Sequence, residues 1–118
     1  MYNLQFMMKV LIVIVNYNGK HLLKKNLKSV VDTDYKDFDI VVVDNNSHDG
    51  SVQYLKKNFP SVKVVESDEN LGFGRGNNLG VSMYPDYDAY LFLNNDVSVP
   101  KEWLKELVRV LESDNSIG

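Results

Sequence analysis

The sequence predicts an α/β fold, a doubly wound layer in which a mostly parallel sheet is flanked by helices. Four apolar, β-branched runs recur along the chain, and segments of helical spacing lie between them. Each apolar run is followed at once by polar or acidic residues. Runs such as VLIVIV and IVVV do not alternate strictly, as expected of strands covered on both faces.

The elements follow in order. Residues 1–8 are set apart as an extension or lead-in, and the packed domain is placed at 9–118. A first strand is expected from Val10 to Val15, and a helix from His21 to Val31. A second strand, Ile40 to Val43, leads to a helix from Ser51 to Phe59 that Asp49 or Ser47 can cap and Pro60 ends. The third pair is a strand from Val62 to Val65 and a helix from Gly74 to Met83. The last is a strand from Ala89 to Leu93 and a helix from Lys101 to Leu111. In that helix Leu104, Leu107, Val108 and Leu111 repeat at helical intervals, and Pro100 fits its first turn.

Composition narrows the chemistry. The 118 residues carry 44% hydrophobic and 25% charged side chains and a formal charge of -3, the profile of one globular domain. The charges are interspersed, so nothing invites nucleic acid. With no cysteine, thiolate metal sites, disulfides and thiol nucleophiles are excluded. The opening apolar run is too short to span a bilayer and lacks a small-residue cleavage site, which leaves a cytoplasmic location as the expectation.

The polar clusters carry the functional signal. Asn16-Tyr17-Asn18, Asp44-Asn45-Asn46, Glu66 to Asn70 and Asn94-Asn95-Asp96 all fall at the carboxyl ends of strands, which share one edge in a parallel sheet. Open α/β sheets bind ligands at that edge. The bland alternative is that loops there are polar because they are solvated and rich in turn residues. Asp44, after three valines, is placed to accept hydrogen bonds from ribose hydroxyls or a base N–H, or else to brace its loop. Asp49, beside Gly50 at a helix start, reads as a cap.

The stretch Glu69 to Gly80, ENLGFGRGNNLG, matches neither the dinucleotide fingerprint nor a P-loop. It reads as small residues that let a ligand or another backbone come close, opening a helix whose N-terminus favours an anion. Arg75 can add a bidentate phosphate contact or simply be solvated. Asp96 puts one carboxylate at the mouth of the crevice, enough for magnesium or manganese when substrate phosphates and water complete the shell. His21 and His48 are not spaced as ligands.

Together VLIVIVNYN, IVVVDNNSHDGS, ENLGFGRGNNLG and LFLNNDVSVP resemble the family-two inverting glycosyltransferases of the GT-A fold, in their rhamnosyltransferase-like branch. The resemblance spans nearly the whole chain. It implies a nucleoside-diphosphate sugar as donor, Tyr17 and Asp44 at the base and ribose, and the backbone of Val15 beside them. It further implies Asn95 near the ribose or sugar, Arg75 and Asn77 in the pocket wall, and Asp96 on a Mn2+ or Mg2+ ion bridging the two phosphates. Asn94 departs from the usual first acid of the metal motif. The family's catalytic base comes from a later segment, so the resemblance implies a base beyond Gly118 and no catalytic base within these residues. On that expectation the chain holds the donor half, cut short before the base, and transfers little alone.

The acceptor is left open, as is peripheral attachment to the inner face of a membrane. Two other readings stand beside this one. A sugar nucleotidyltransferase would need a glycine-rich basic signature where Asn16-Tyr17-Asn18-Gly19 stands. A non-catalytic interaction domain would keep the fold and self-associate through the face left by the missing half.

Overall fold

The computed structural model describes residues 8–114. Apart from Met8, the expected N-terminal extension lies outside the described residues. So does Gly118, the point beyond which the catalytic base is expected. Strands and helices alternate: β1 (Val10–Asn16), α1 (Lys20–Val31), β2 (Phe38–Asp44), α2 (Ser51–Asn58), β3 (Lys63–Glu66), α3 (Gly72–Met83), β4 (Ala89–Phe92) and α4 (Trp103–Asp114). All four strands are parallel in the order β3-β2-β1-β4. The register sets Val13 beside Val41 and Phe92, and brings the last residues of β1, β2 and β3 into line as Asn16, Asp44 and Glu66.

The pleat sorts the unbroken apolar runs between two cores. Val10, Ile12, Ile14, Ile40 and Val42 face Leu23, Leu27 and Val30 of α1, Leu55 of α2, and Leu104 and Val108 of α4. Leu11, Val13, Val41 and Val43 face the other way, toward Leu79 of α3 and Tyr84, Tyr87 and Tyr90. Burial on both faces is why no polar alternation shows in these strands.

Helix α3 lies unusually close to the sheet. A Cβ added to Gly80 would stand 2.8 Å from Val13 and 3.0 Å from Val43, and one on Gly76 would stand 3.1 Å from Val15. Only glycine permits that approach at Gly80. These glycines, one helical turn apart, therefore serve helix-to-sheet contact. The glycine-rich stretch is itself helical from Gly72, two residues before the expected start.

The last helix starts later than the sequence suggests. Pro100 accepts a hydrogen bond from the Trp103 amide at 3.2 Å, closing a turn ahead of the helix. At the sheet edge, β4 is short, and Phe92 on it is 52% exposed.

Candidate functional site

The site is built where the strands end. Asn16 closes β1 fully buried, and Asp44 closes β2 at 2% exposure. The chain then turns out of each strand through an asparagine in the left-handed region, Asn18 at φ 48° and Asn46 at φ 66°. Asparagine tolerates that conformation better than other side chains, which accounts for its use in both loops.

A run of buried amides and a carboxylate joins the loops. The Asn95 side-chain amide donates to Asn16 Oδ1 at 2.9 Å, and Asn16 Nδ2 donates to Asp44 Oδ1 at 3.0 Å. Asp44 Oδ1 also accepts from the Ser47 hydroxyl at 2.7 Å, and its Oδ2 from the Ser47 backbone N–H at 2.9 Å. The Ser47 hydroxyl oxygen accepts from the Asn18 amide at 2.8 Å, and Asn18 Oδ1 accepts from the His48 N–H at 2.8 Å. A buried carboxylate requires such donors, since its desolvation is otherwise uncompensated. Asp44 thus braces the β1 and β2 loops, with Asn16 and Ser47 as donors to its oxygens.

Other bonds fix the remaining loops. Asn45, 1% exposed, donates to the Gly72 carbonyl at 3.0 Å, which ties the β2 loop to the start of α3. The segment after β4 is strapped to α1, with the Ser98 hydroxyl donating to Asn26 Oδ1 at 2.6 Å and the Val99 amide to Ser29 Oγ at 3.0 Å. Asp49 accepts from the amides of Lys20 at 2.9 Å and Ser51 at 3.0 Å, so it satisfies the first turns of both α1 and α2. The N-cap position of α2 is Gly50, and Asp49 just ahead of it supplies the side-chain acceptor there and also at the start of α1; Ser47 bonds Asp44 instead. Burial works to raise the Asp49 pKa, but hydrogen bonds from Ser51 and Lys20 outweigh it and hold the carboxyl below its ordinary value.

On this scaffold the expected site residues are distributed as follows. Tyr17 projects half-exposed from the β1 loop. Val15 lies under α3, against Gly76. Arg75 is exposed on the first turns of α3, while Asn77 is 6% exposed and its Oδ1 has no hydrogen-bond partner among the described residues. Asn95 is partly buried through its bond to Asn16, and Asp96 next to it is exposed. Among the described residues no group of three or more His, Cys, Asp or Glu side chains gathers as a metal site. The donor set at Asp96 is one exposed carboxylate, which fits a hard divalent cation that draws its other ligands from phosphate and water.

The sequence assigns no individual role to Asn16, Asn45 or Gly19, and offers Ser47 only as a helix cap. A Cβ on Gly19 would meet Asn16 Oδ1 and Asn95 Nδ2, each at 2.4 Å, so the glycine leaves room for the bond between the two loops. The available signal is a polar residue ending an otherwise apolar strand.

The four-stranded parallel sheet, the polar loops at its carboxyl edge and Asp96 exposed after β4 define the class, an open α/β domain of the GT-A kind. The pattern of glycosyl transferase family 2 matches residues 11–118, and the chain belongs to that family. It is 33% identical over 107 residues to the low-salt glycan biosynthesis hexosyltransferase Agl10 of Haloferax volcanii, covering 88% of this chain and 33% of that protein. It is 29% identical over 115 residues to the Staphylococcus aureus poly(ribitol-phosphate) beta-N-acetylglucosaminyltransferase TarS, covering 93% of this chain and 20% of that protein. The crystal structure of TarS 1-349 in complex with UDP-GlcNAc superposes with a TM-score of 0.81 at 26% identity, over 92% of this chain and 32% of that one. The chain therefore spans at most about a third of the length of these relatives.

Proposed function

We propose that this chain is the donor-binding part of an inverting glycosyltransferase, holding a nucleoside-diphosphate sugar at the carboxyl edge of its sheet. The observation that supports the reading best is the convergence at that edge of the strand-end loops that carry Tyr17, Asp44, Asn95 and Asp96. The bonds from Asn95 through Asn16 to Asp44 bind their loops together. TarS, at 26% identity, has been crystallised with UDP-GlcNAc and with UDP, which favours a uridine nucleotide among the candidates.

In this reading Tyr17 packs on the base, and the Val15 backbone lines the base and ribose pocket beside it. Asp44 contacts the base or ribose while also pinning the loops through Asn16 and Ser47. Asn77 stands in the pocket wall beside Arg75, its Oδ1 without a hydrogen-bond partner among the described residues. Arg75 and the N-terminus of α3 face the diphosphate, where positive charge and the helix dipole favour an anion. Asn95 borders the ribose or sugar. Asp96 holds Mn2+ or Mg2+, which when bound neutralises the departing diphosphate. The base that deprotonates the acceptor hydroxyl is assigned to no residue of this chain, and is proposed to come from a segment beyond Gly118 in a longer protein. The rhamnosyltransferase-like branch rests on the four motifs together, with Asn94-Asn95-Asp96 as its N-x-D variant, and belongs to the same proposal. So do a role in polysaccharide biosynthesis and a cytoplasmic location with peripheral attachment to the membrane. Among the described residues, no helix is long and apolar enough to cross one.

Membership of glycosyl transferase family 2 removes the nucleotidyltransferase alternative. A non-catalytic interaction domain keeps one supporting observation, Phe92 exposed on the edge strand β4. Concentration-dependent dimerisation without nucleotide binding would favour it.

Calorimetric titration with UDP and dTDP, with and without manganese, tests the donor-binding reading. Wild type should bind in a manganese-dependent way, and Asp96→Ala and Tyr17→Ala should each weaken binding by about tenfold or more. Absence of binding to either nucleotide would sink the reading. Efficient transfer by the chain alone would overturn the assignment of the base elsewhere.

A further inference from the structure

Where α1 and α2 leave the strand-end loops they border a surface cleft of about 350 Å³ lined by Lys20, Gly50, Gln53, Tyr54, Lys57 and Asn58. We propose that this cleft is a second binding site, for a phosphate-bearing polyol of sugar-phosphate size. It goes beyond the donor-binding reading and uses none of its contact residues.

The charge placement points to an anion. Lys20 and Lys57 line the cleft, and Lys24 overhangs it with its ammonium 5.6 Å from the centre of the Tyr54 ring. Among the described residues none of the three forms an ion pair, whereas on the same helices Lys28 pairs with Asp32 and Lys56 with Glu66. The overall chain is acidic, with a formal charge of -3, yet three ammonium groups meet at this cleft.

Local stability does not explain the arrangement. Lys57 in the last turn of α2 suits the helix dipole, but Lys20 is the first residue of α1, at the positive pole, and that turn carries no acid. The one carboxylate beside it, Asp49, is committed to the backbone amides of Lys20 and Ser51. Gly50, at φ 83°, adds no side chain, and a Cβ there would approach only Lys20, at 3.5 Å from its Nζ.

The remaining lining fits hydroxyl groups. Asn58 spends its Nδ2 on the Tyr54 carbonyl at 3.0 Å, which leaves its Oδ1 to accept, and the exposed Gln53 offers both a donor and an acceptor. Phosphate oxygens only accept, and the lysines only donate. The volume exceeds a bare phosphate and lies at the lower end of small-ligand pockets. Both a free sugar phosphate and the headgroup of an acidic glycerophospholipid present this chemistry.

The test is an amide-resolved NMR titration with glucose 6-phosphate, using glucose as the control, alongside co-sedimentation with phosphatidylcholine vesicles with and without phosphatidylglycerol. Saturable shifts should appear at Gly50, Gln53, Tyr54, Lys57 and Asn58. Affinity should fall about tenfold in Lys20→Gln/Lys57→Gln and several-fold in the exposed single variant Lys24→Gln, and stay unchanged in Lys105→Gln. Binding to phosphatidylglycerol vesicles alone, lost in the same variants, would assign the site to a lipid headgroup. The proposal fails if neither probe engages these residues, if glucose matches glucose 6-phosphate, or if Lys24→Gln and the double variant bind as wild type does. A UDP titration reads out at Tyr17 and α3 instead, so failure of the donor-binding reading leaves this result separate.

Discussion

The side-chain amide of Asn95 donates to Asn16 Oδ1 at 2.9 Å, joining residues 79 positions apart in the sequence. Through Asn16 the bond continues to Asp44, so the loop that carries Asp96 is tied to the loops after β1 and β2 by one buried amide. Asn16 makes both contacts while fully buried, and loss of either partner would strand a desolvated polar group.

The space for this bond is reserved by Gly19. Its backbone, at φ -108° and ψ 27°, is open to any residue, so alanine there is opposed by contact rather than by backbone strain. Gly19→Ala should cost about 1–3 kcal/mol, because the new methyl displaces Asn16 Oδ1 or Asn95 Nδ2. Urea unfolding of Gly19→Ala, Asn95→Ala and the double variant supplies the check. The double variant should be more stable than the sum of the single losses predicts, with a coupling of about 0.5–2 kcal/mol. Additive losses would show that the glycine acts independently of the Asn95 bond.

Two glycines of α3 should respond to the same substitution with opposite signs. A Cβ at Gly74 meets nothing within 4 Å, so Gly74→Ala should stabilise by about 0.5–1 kcal/mol through helix propensity and a less disordered unfolded chain. At Gly80 the added carbon meets Val13 at 2.8 Å and Val43 at 3.0 Å. Valine side chains are stiff at χ1, so α3 must lift and the variant should lose about 1–2 kcal/mol net. Thermal melts of the two variants decide the matter, and two shifts of the same sign would contradict the close packing of α3.

These residues also mark how far the sequence can be read. The strands are legible because runs such as VLIVIV are too apolar for a half-exposed sheet, and the site edge follows from the polar residues that end each run. The glycines of α3 read as room for a ligand or another backbone. Sequence alone cannot say which neighbour a missing side chain admits, and here Gly76 and Gly80 admit the sheet. Asp44 is visible as an important carboxylate, but Asn16 becomes its neighbour only when β1 pairs with β2, while Ser47 is a local partner three residues on. The first turn of α4 is misplaced by the sequence because Pro100 starts a turn as readily as a helix.

Asp49 gives a prediction in pH. Its carboxyl is held below its ordinary value by hydrogen bonds from Ser51 and Lys20 that outweigh the effect of burial. A group with a lowered folded pKa contributes stability that is complete above its unfolded value, near 3.8, and is lost as pH falls through the lower folded value. Asp49→Ala removes the acceptor for the first amides of α1 and α2 and should cost about 1–2 kcal/mol at neutral pH. Urea unfolding of wild type and variant, followed from neutrality into strong acid, should show the gap narrowing below pH 3.8 as the wild-type carboxylate takes up its proton. Asp32→Ala, which breaks only the exposed pair with Lys28, should cost less than about 0.5 kcal/mol and serves as the comparison. A gap for Asp49→Ala that stays constant into acid would mean that the ionised form is not what holds the two helix starts together.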